Sequence, residues 1–171
     1  MELAGSAYLY AIASLAMALV GFSAIVLTLQ QITDRRDPKR LKILRQHARG
    51  YIELGFSSVG VAILPPALAA CGLSATLSWR WSSAIIALGL TYHVGLVFKR
   101  FRVIGRSTAS RMPPRILIGM VVNILVIIAV LLNATGLLFE PNAAPIIVAA
   151  TWRFVSAVIV FMLTYEEFLE T

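Results

Sequence analysis

The stretch ILIGMVVNILVIIAVLLNATGLLF, residues 116–139, runs for 24 residues without a charged side chain. As an α-helix it would be about 36 Å long, which exceeds the roughly 30 Å thickness of the hydrocarbon core of a bilayer. We therefore predict that residues 116–139 form a transmembrane helix.

Four further apolar segments of similar character lie on either side of this one. The whole chain is 59% hydrophobic and only 13% charged, with a mean hydropathy of +0.85, whereas soluble domains carry about 25% charged residues. The third segment is the shortest and lies near the lower limit for a span. The sequence thus predicts an all-α, polytopic membrane protein, a bundle of about five transmembrane helices in a single domain over residues 1–171, with the other spans at 8–29, 51–73, 82–98 and 145–165.

The basic residues are concentrated in two of the connecting loops. Of the fifteen Lys and Arg residues, seven lie in loop 30–50 and six in loop 99–115. With five spans these two loops fall on the same side of the membrane, and the positive-inside rule makes that side cytoplasmic. The sequence predicts an N-terminus outside, a C-terminus inside, and a location in the cell membrane, taken as the bacterial inner membrane.

The two basic loops have two interpretations. They set the topology, or they also bind anionic lipid headgroups. Asp37 and Pro38 form a helix start signal, so the second helix is expected to begin in the loop and continue into the membrane. No aromatic platform accompanies the basic runs, so nucleic acid is not an expected partner. The candidate lipid-binding residues are Arg35, Arg36, Lys39, Arg40, Arg100 and Arg102.

Two sequence features bear on how the helices pack. The first segment carries one stripe of small residues at alternating spacings of four and three, which predicts a packing seam against another helix. We favour a helix of the same chain, with a second subunit as the alternative. Pro65 and Pro66 lie inside the second segment and predict a kink, which either lines a site or is ordinary for a membrane helix. The seam residues are Ala7, Ala11, Ser14, Ala18 and Gly21.

Polar side chains at membrane depth are costly, so each is a functional candidate. Glu53 lies one turn from the loop cations, which favours an interfacial ion pair over a proton site. His93 is either a packed, hydrogen-bonded residue or a titrating one. Asn123 and Asn133, both in the fourth segment, are each expected to bond to a neighbouring helix.

Arg153 is the deepest charged residue, in the run ATWRFVSAVIV at 150–160. Three explanations are open. The last helix starts late and Arg153 snorkels outward; Arg153 pairs with polar groups of the bundle such as Asn123, Asn133 or Tyr92; or it lines an aqueous anion path.

The sequence lacks the motifs that would indicate an enzyme or a cofactor site. It has no phosphate-binding glycine-rich loop, no metal-ligand spacing and no nucleophile elbow. Its one cysteine, Cys71, has no partner for a disulfide and is expected to be a small buried residue. We predict no enzymatic activity, no cofactor and no bound metal.

The order of features resembles a family of small, uncharacterised bacterial multi-pass integral membrane proteins. The similar pieces are ALVGFSAIVLTL at 18–29, RLKILRQHARG at 40–50, AILPPAL at 62–68, LSWRWSS at 77–83 and LLNATGLLFEPNAAP at 131–145. The resemblance implies the five-helix membrane architecture and no functional residue. Arg153 departs from the less polar final helix that the resemblance implies.

A compact membrane bundle with short loops suits a protein whose partner is another membrane component. The first functional hypothesis is an accessory, assembly or interaction subunit of a membrane complex, in contact with anionic lipids. The alternative is a small homo-oligomeric channel or transporter, with Arg153, His93 and the two prolines around its path.

Overall fold

The part of the chain that the structure describes forms five α-helices and contains no strand. In this computed structural model, residues 3–33, 38–105 and 114–169 are described. Each helix contains a stretch long and apolar enough to cross a membrane, so the predicted all-α architecture with five candidate spans is confirmed. The helices are α1 (Ser6–Thr33), α2 (Pro38–Ala70), α3 (Ala75–Gly105), α4 (Pro114–Thr135) and α5 (Ala144–Leu169).

The start of α3 differs from the sequence prediction. The helix begins at Ala75 rather than at residue 82, so its apolar stretch, Ala75–Lys99, is 25 residues long. Ser74 caps this start, because its hydroxyl accepts a hydrogen bond from the backbone N–H of Leu77 at 3.4 Å. The polar LSWRWSS segment is therefore helical, and α3 is not the short span expected from hydropathy.

The end of α4 also differs, because the helix stops at Thr135 although the apolar run continues to residue 139. Gly136 adopts a positive φ of 66°, and its N–H bonds back to the carbonyl of Leu132 at 3.0 Å. This is the left-handed cap that glycine favours at helix ends. Leu137 and Leu138 consequently lie outside the helix and are strongly exposed.

The chain separates into two compact units. One spans Pro65–Ile146 and contains α3 and α4; the other combines Glu2–Leu64 with Ile147–Thr171. The division falls within α2, at the prolines that interrupt its apolar run. The helix continues through Pro65 and Pro66, which are both buried, and the predicted kink stays a prediction.

In the unit Pro65–Ile146, one asparagine joins three parts of the chain. The side-chain amide of Asn133 donates to the Ser83 hydroxyl of α3 at 2.8 Å and to the Asn142 carbonyl at 3.0 Å. Its oxygen accepts the Asn142 backbone N–H at 3.0 Å. Asn133 and Ser83 are fully buried, so this bonded group fixes α4 against α3 and the turn that follows α4.

In the same unit, the exposed Arg80 of α3 caps the C-terminal end of α4. Its guanidinium donates to the carbonyls of Ala134 and Thr135, both at 2.9 Å. These carbonyls have no partner within the helix, and the positive charge of the guanidinium interacts favourably with the negative end of the helix dipole. Of the two tryptophans that flank Arg80, Trp81 is exposed and Trp79 is only 4% exposed.

In the second unit, α1, the first part of α2, and α5 pack closely. Gly55 lies directly against α1: a Cβ there would overlap the side chain of Val20 and lie 3.7 Å from the Ala16 carbonyl oxygen. The Ser58 hydroxyl donates to the Ala150 carbonyl of α5 at 3.0 Å. Near the other end of this contact, the rings of Tyr51 and Phe161 meet edge to face at 5.5 Å.

Candidate functional site

Helix α5 places Arg153 in the middle of its apolar stretch. The Asn142 side chain caps the start of α5 by accepting the N–H of Ala144 at 3.0 Å, and Pro145 occupies the first turn, where it needs no amide partner. The candidate span is Ala144–Leu163, 20 residues long. Arg153 is its tenth residue, about 14 Å from either end.

The side chain of Arg153 points into the protein. It is only 2% exposed, and its Nε atom has no hydrogen-bond partner among the described residues. On the same face of α5, the residues four and three before it and four after it are Ala149, Ala150 and Ala157, all fully buried. Arg153 is thus the one long side chain in a row of alanines.

These observations contradict one of the three explanations expected for Arg153. Snorkelling required α5 to start late, but the helix begins at Ala144 and the side chain is buried. The other two explanations, pairing with polar groups of the bundle and an aqueous anion path, stay predictions.

The packing of α2 against α5 indicates what lies level with Arg153. The two helices run antiparallel, since Ser58 meets Ala150 and Tyr51 meets Phe161. Interpolation between these contacts places Arg153 level with residue 56, next to Gly55. Because a Cβ at Gly55 would overlap the side chain of Val20, α1 also reaches α2 near the depth of the arginine, and three helices meet there.

Glu53 is the acidic residue of this unit whose side chain is described, and it does not neutralise Arg153. Glu53 forms an ion pair with Arg49 one turn earlier in α2, with Nε and Oε1 2.6 Å apart. Both side chains are partly exposed, which makes this an interfacial pair worth about 0.5 kcal/mol. The sequence favoured such a pair for Glu53, and the structure contains it.

The other predicted polar residues belong to the unit Pro65–Ile146. His93 is half-buried on α3. Asn123 donates to the carbonyl of Gly119 in its own helix at 2.7 Å, not to a neighbouring helix as expected. Its buried side-chain oxygen has no partner among the described residues. The asparagine that joins helices is Asn133, which the sequence treated as equivalent to Asn123.

The predicted packing seam faces outward. All five of its residues, Ala7, Ala11, Ser14, Ala18 and Gly21, are exposed, so the expectation that they pack within the chain is not met. The face of α1 buried in the protein is the opposite one. Successive residues are 100° apart around a helix, so buried Ala16 lies about 160° from both Ser14 and Ala18. The other buried residues of this face are Leu9, Ile12, Ala13, Val20 and Ser23.

The predicted lipid-binding cations lie outside the described part of the chain. This holds for Arg35 and Arg36 and for the side chains of Lys39, Arg40, Arg100 and Arg102. Cys71, expected to be buried, is instead exposed in the turn after α2, because the helix ends at Ala70.

Sequence reasoning missed Ser58 and Gly55. A serine and a glycine in an apolar helix are common, and only the partner helix distinguishes these two from the others. The available signal was their spacing of three, which puts both on one face of α2.

Comparison with known proteins adds no identification. The chain matches no family model, no curated protein and no solved structure. Within the described residues no group of His, Cys, Asp or Glu is arranged to hold a metal ion.

Proposed function

We propose that the chain is a multi-pass protein of the bacterial inner membrane, with its N-terminus outside and its C-terminus in the cytoplasm. The support is the five candidate spans together with the charge pattern, in which thirteen of fifteen Lys and Arg residues belong to two loops on one side. The bacterial assignment also draws on the resemblance of its sequence segments. The basic loops then face the anionic lipids of the cytoplasmic leaflet.

This orientation predicts how Cys71 reacts. The cysteine is exposed in the turn between α2 and α3, which lies outside in the proposed topology. A membrane-impermeant maleimide added to spheroplasts should label it fully. A Cys71→Ser variant carrying Ser107→Cys in the second basic loop should react only after the membrane is opened. The reverse labelling order would contradict the orientation.

The function we propose is that of an accessory, assembly or interaction subunit of a membrane complex. The observation that carries it is the outward seam of α1. Two rows of large exposed residues flank the small ones: Tyr8, Leu15 and Phe22 on one side, Tyr10 and Met17 on the other. The members of each row are seven residues apart.

This arrangement forms a shallow groove of heptad period along α1. In lipid, helix association depends on close backbone approach and side-chain packing, which small residues permit. A seven-residue repeat suits a partner helix crossing at a small left-handed angle. The groove therefore fits a transmembrane helix of another membrane protein.

The alternative is a small homo-oligomeric channel or transporter. Arg153 favours it, since a buried cation at mid-span is the kind of residue found along ion and substrate paths. This alternative requires flux of an anion through liposomes that contain the protein, and a change in that flux in Arg153→Gln.

Affinity purification of the tagged protein in mild detergent, followed by native mass spectrometry, separates the two. The subunit function predicts recovery with a different membrane protein in fixed stoichiometry. Ala18→Leu, in the middle of the seam, should reduce that recovery about tenfold, equivalent to roughly 1.4 kcal/mol. Ala67→Leu adds the same side chain at an exposed position of α2, outside this groove, and should leave recovery unchanged. Recovery as a homo-oligomer alone would favour the channel.

A further inference from the structure

The surroundings of Arg153 contain hydrogen-bond donors that lack acceptors. Arg153 Nε and Trp152 Nε1, on consecutive residues, are both buried and without a partner among the described residues. The nearby Ser58 hydroxyl already gives its proton to the Ala150 carbonyl. Among its described residues, this part of the protein lacks an acceptor with negative charge for these donors.

The charge of Arg153 sharpens this requirement. An arginine at the centre of a span is costly unless a counter-charge is present. The carboxylate of Glu53 is held by Arg49 one turn away. The neighbours of Arg153 on its own face are alanines, and the residues level with it on α2 are Gly55 and Phe56, so these positions offer no side-chain acceptor.

We propose that Arg153 binds a small oxyanion, a carboxylate or a phosphate, at membrane depth between α1, α2 and α5. The planar guanidinium presents parallel N–H groups that match two oxygens of such an anion. The Trp152 indole N–H, on the adjacent residue, is a further unpaired donor. The site requires neither a partner subunit nor conduction, so it goes beyond both functions proposed above. The anion is either a free solute or the phosphate of a lipid headgroup.

Thermal unfolding of the purified protein in a phosphate-free maltoside detergent tests this site. Sodium formate and inorganic phosphate are compared with sodium chloride at equal ionic strength, and phosphatidylglycerol is added in a separate series. We expect formate or phosphate to raise the unfolding midpoint saturably, by about 5 °C at a hundredfold excess over Kd. A rise with phosphatidylglycerol alone would identify the headgroup as the source.

Three variants show whether the response belongs to Arg153. Arg153→Gln should abolish it, and Arg153→Lys, which keeps the charge without the planar fork, should lose at least most of it. Arg80→Gln removes an arginine from the other unit and should respond as the wild type does, which controls for general salt effects. If Arg153→Gln does not fold, the lysine variant still decides. Equal responses in wild type and both Arg153 variants, or no response to any anion or lipid, would overturn the proposal.

Discussion

Replacing Asn133 with leucine should lower the free energy of unfolding by about 3 kcal/mol. The substitution removes three hydrogen bonds, to Ser83 and to both backbone groups of Asn142. Each contributes about 1 kcal/mol net, and the buried Ser83 hydroxyl is left without the donor that now satisfies it. Because the bonds connect α3, α4 and the turn after α4, their loss also frees this turn, which leads into α5.

Asn123→Leu is the matched control, since it makes the same change in the same helix. Asn123 bonds only to the Gly119 carbonyl of its own turn, and its buried oxygen is already unpaired among the described residues. This variant should unfold within about 0.5 kcal/mol of the wild type. The measurement is the midpoint of unfolding in mixed detergent with rising dodecyl sulfate, followed by circular dichroism. Equal midpoints for the two leucine variants would show that the Asn133 bonds carry no net stability.

The five helices could be predicted from the sequence because long apolar runs have few other solutions in a bilayer. The start of α2 at Pro38 could also be predicted, because Asp37 and Pro38 are a helix start signal in the local sequence. Hydropathy did not predict the helix ends that depend on capping and backbone conformation. Gly136 ends α4 although three apolar residues follow, and Ser74 starts α3 before a polar segment.

The candidate site was predictable in position but not in environment. The depth of Arg153 follows from counting residues, whereas its burial depends on which face α5 turns inward. The alanines at 149, 150 and 157 are equally compatible with a lipid-facing and with a buried position. The same ambiguity affected α1, where both faces carry small residues and the structure buries the one centred on Ala16 rather than the seam. In an apolar helix, composition alone does not distinguish these faces, because lipid and protein interior are similar solvents for it.

Replacing Gly55 with leucine should separate α1 from α2 and cost about 3 kcal/mol. A Cβ at this position already overlaps the Val20 side chain, and valine in a helix has one strongly preferred rotamer, so it has little freedom to yield. A larger side chain forces the backbones apart, with the loss of packing that overfilled interiors show. Since Gly55 lies within one residue of the level of Arg153, the oxyanion response should be lost together with the stability.

Two further variants distinguish this overlap from a general intolerance of leucine in α2. Gly60→Leu places the same side chain where nothing lies within 4 Å, and it should be neutral or stabilising by about 0.5 kcal/mol, because leucine favours helix more than glycine does. Gly55→Ala combined with Val20→Ala should be more stable than the sum of the single effects predicts, since the second change removes the atom that the first one meets. We expect a coupling free energy of about 1 kcal/mol in that double-mutant cycle. Strict additivity would mean that α1 and α2 are not in contact at Gly55. The placement of Arg153 where three helices meet would then be wrong.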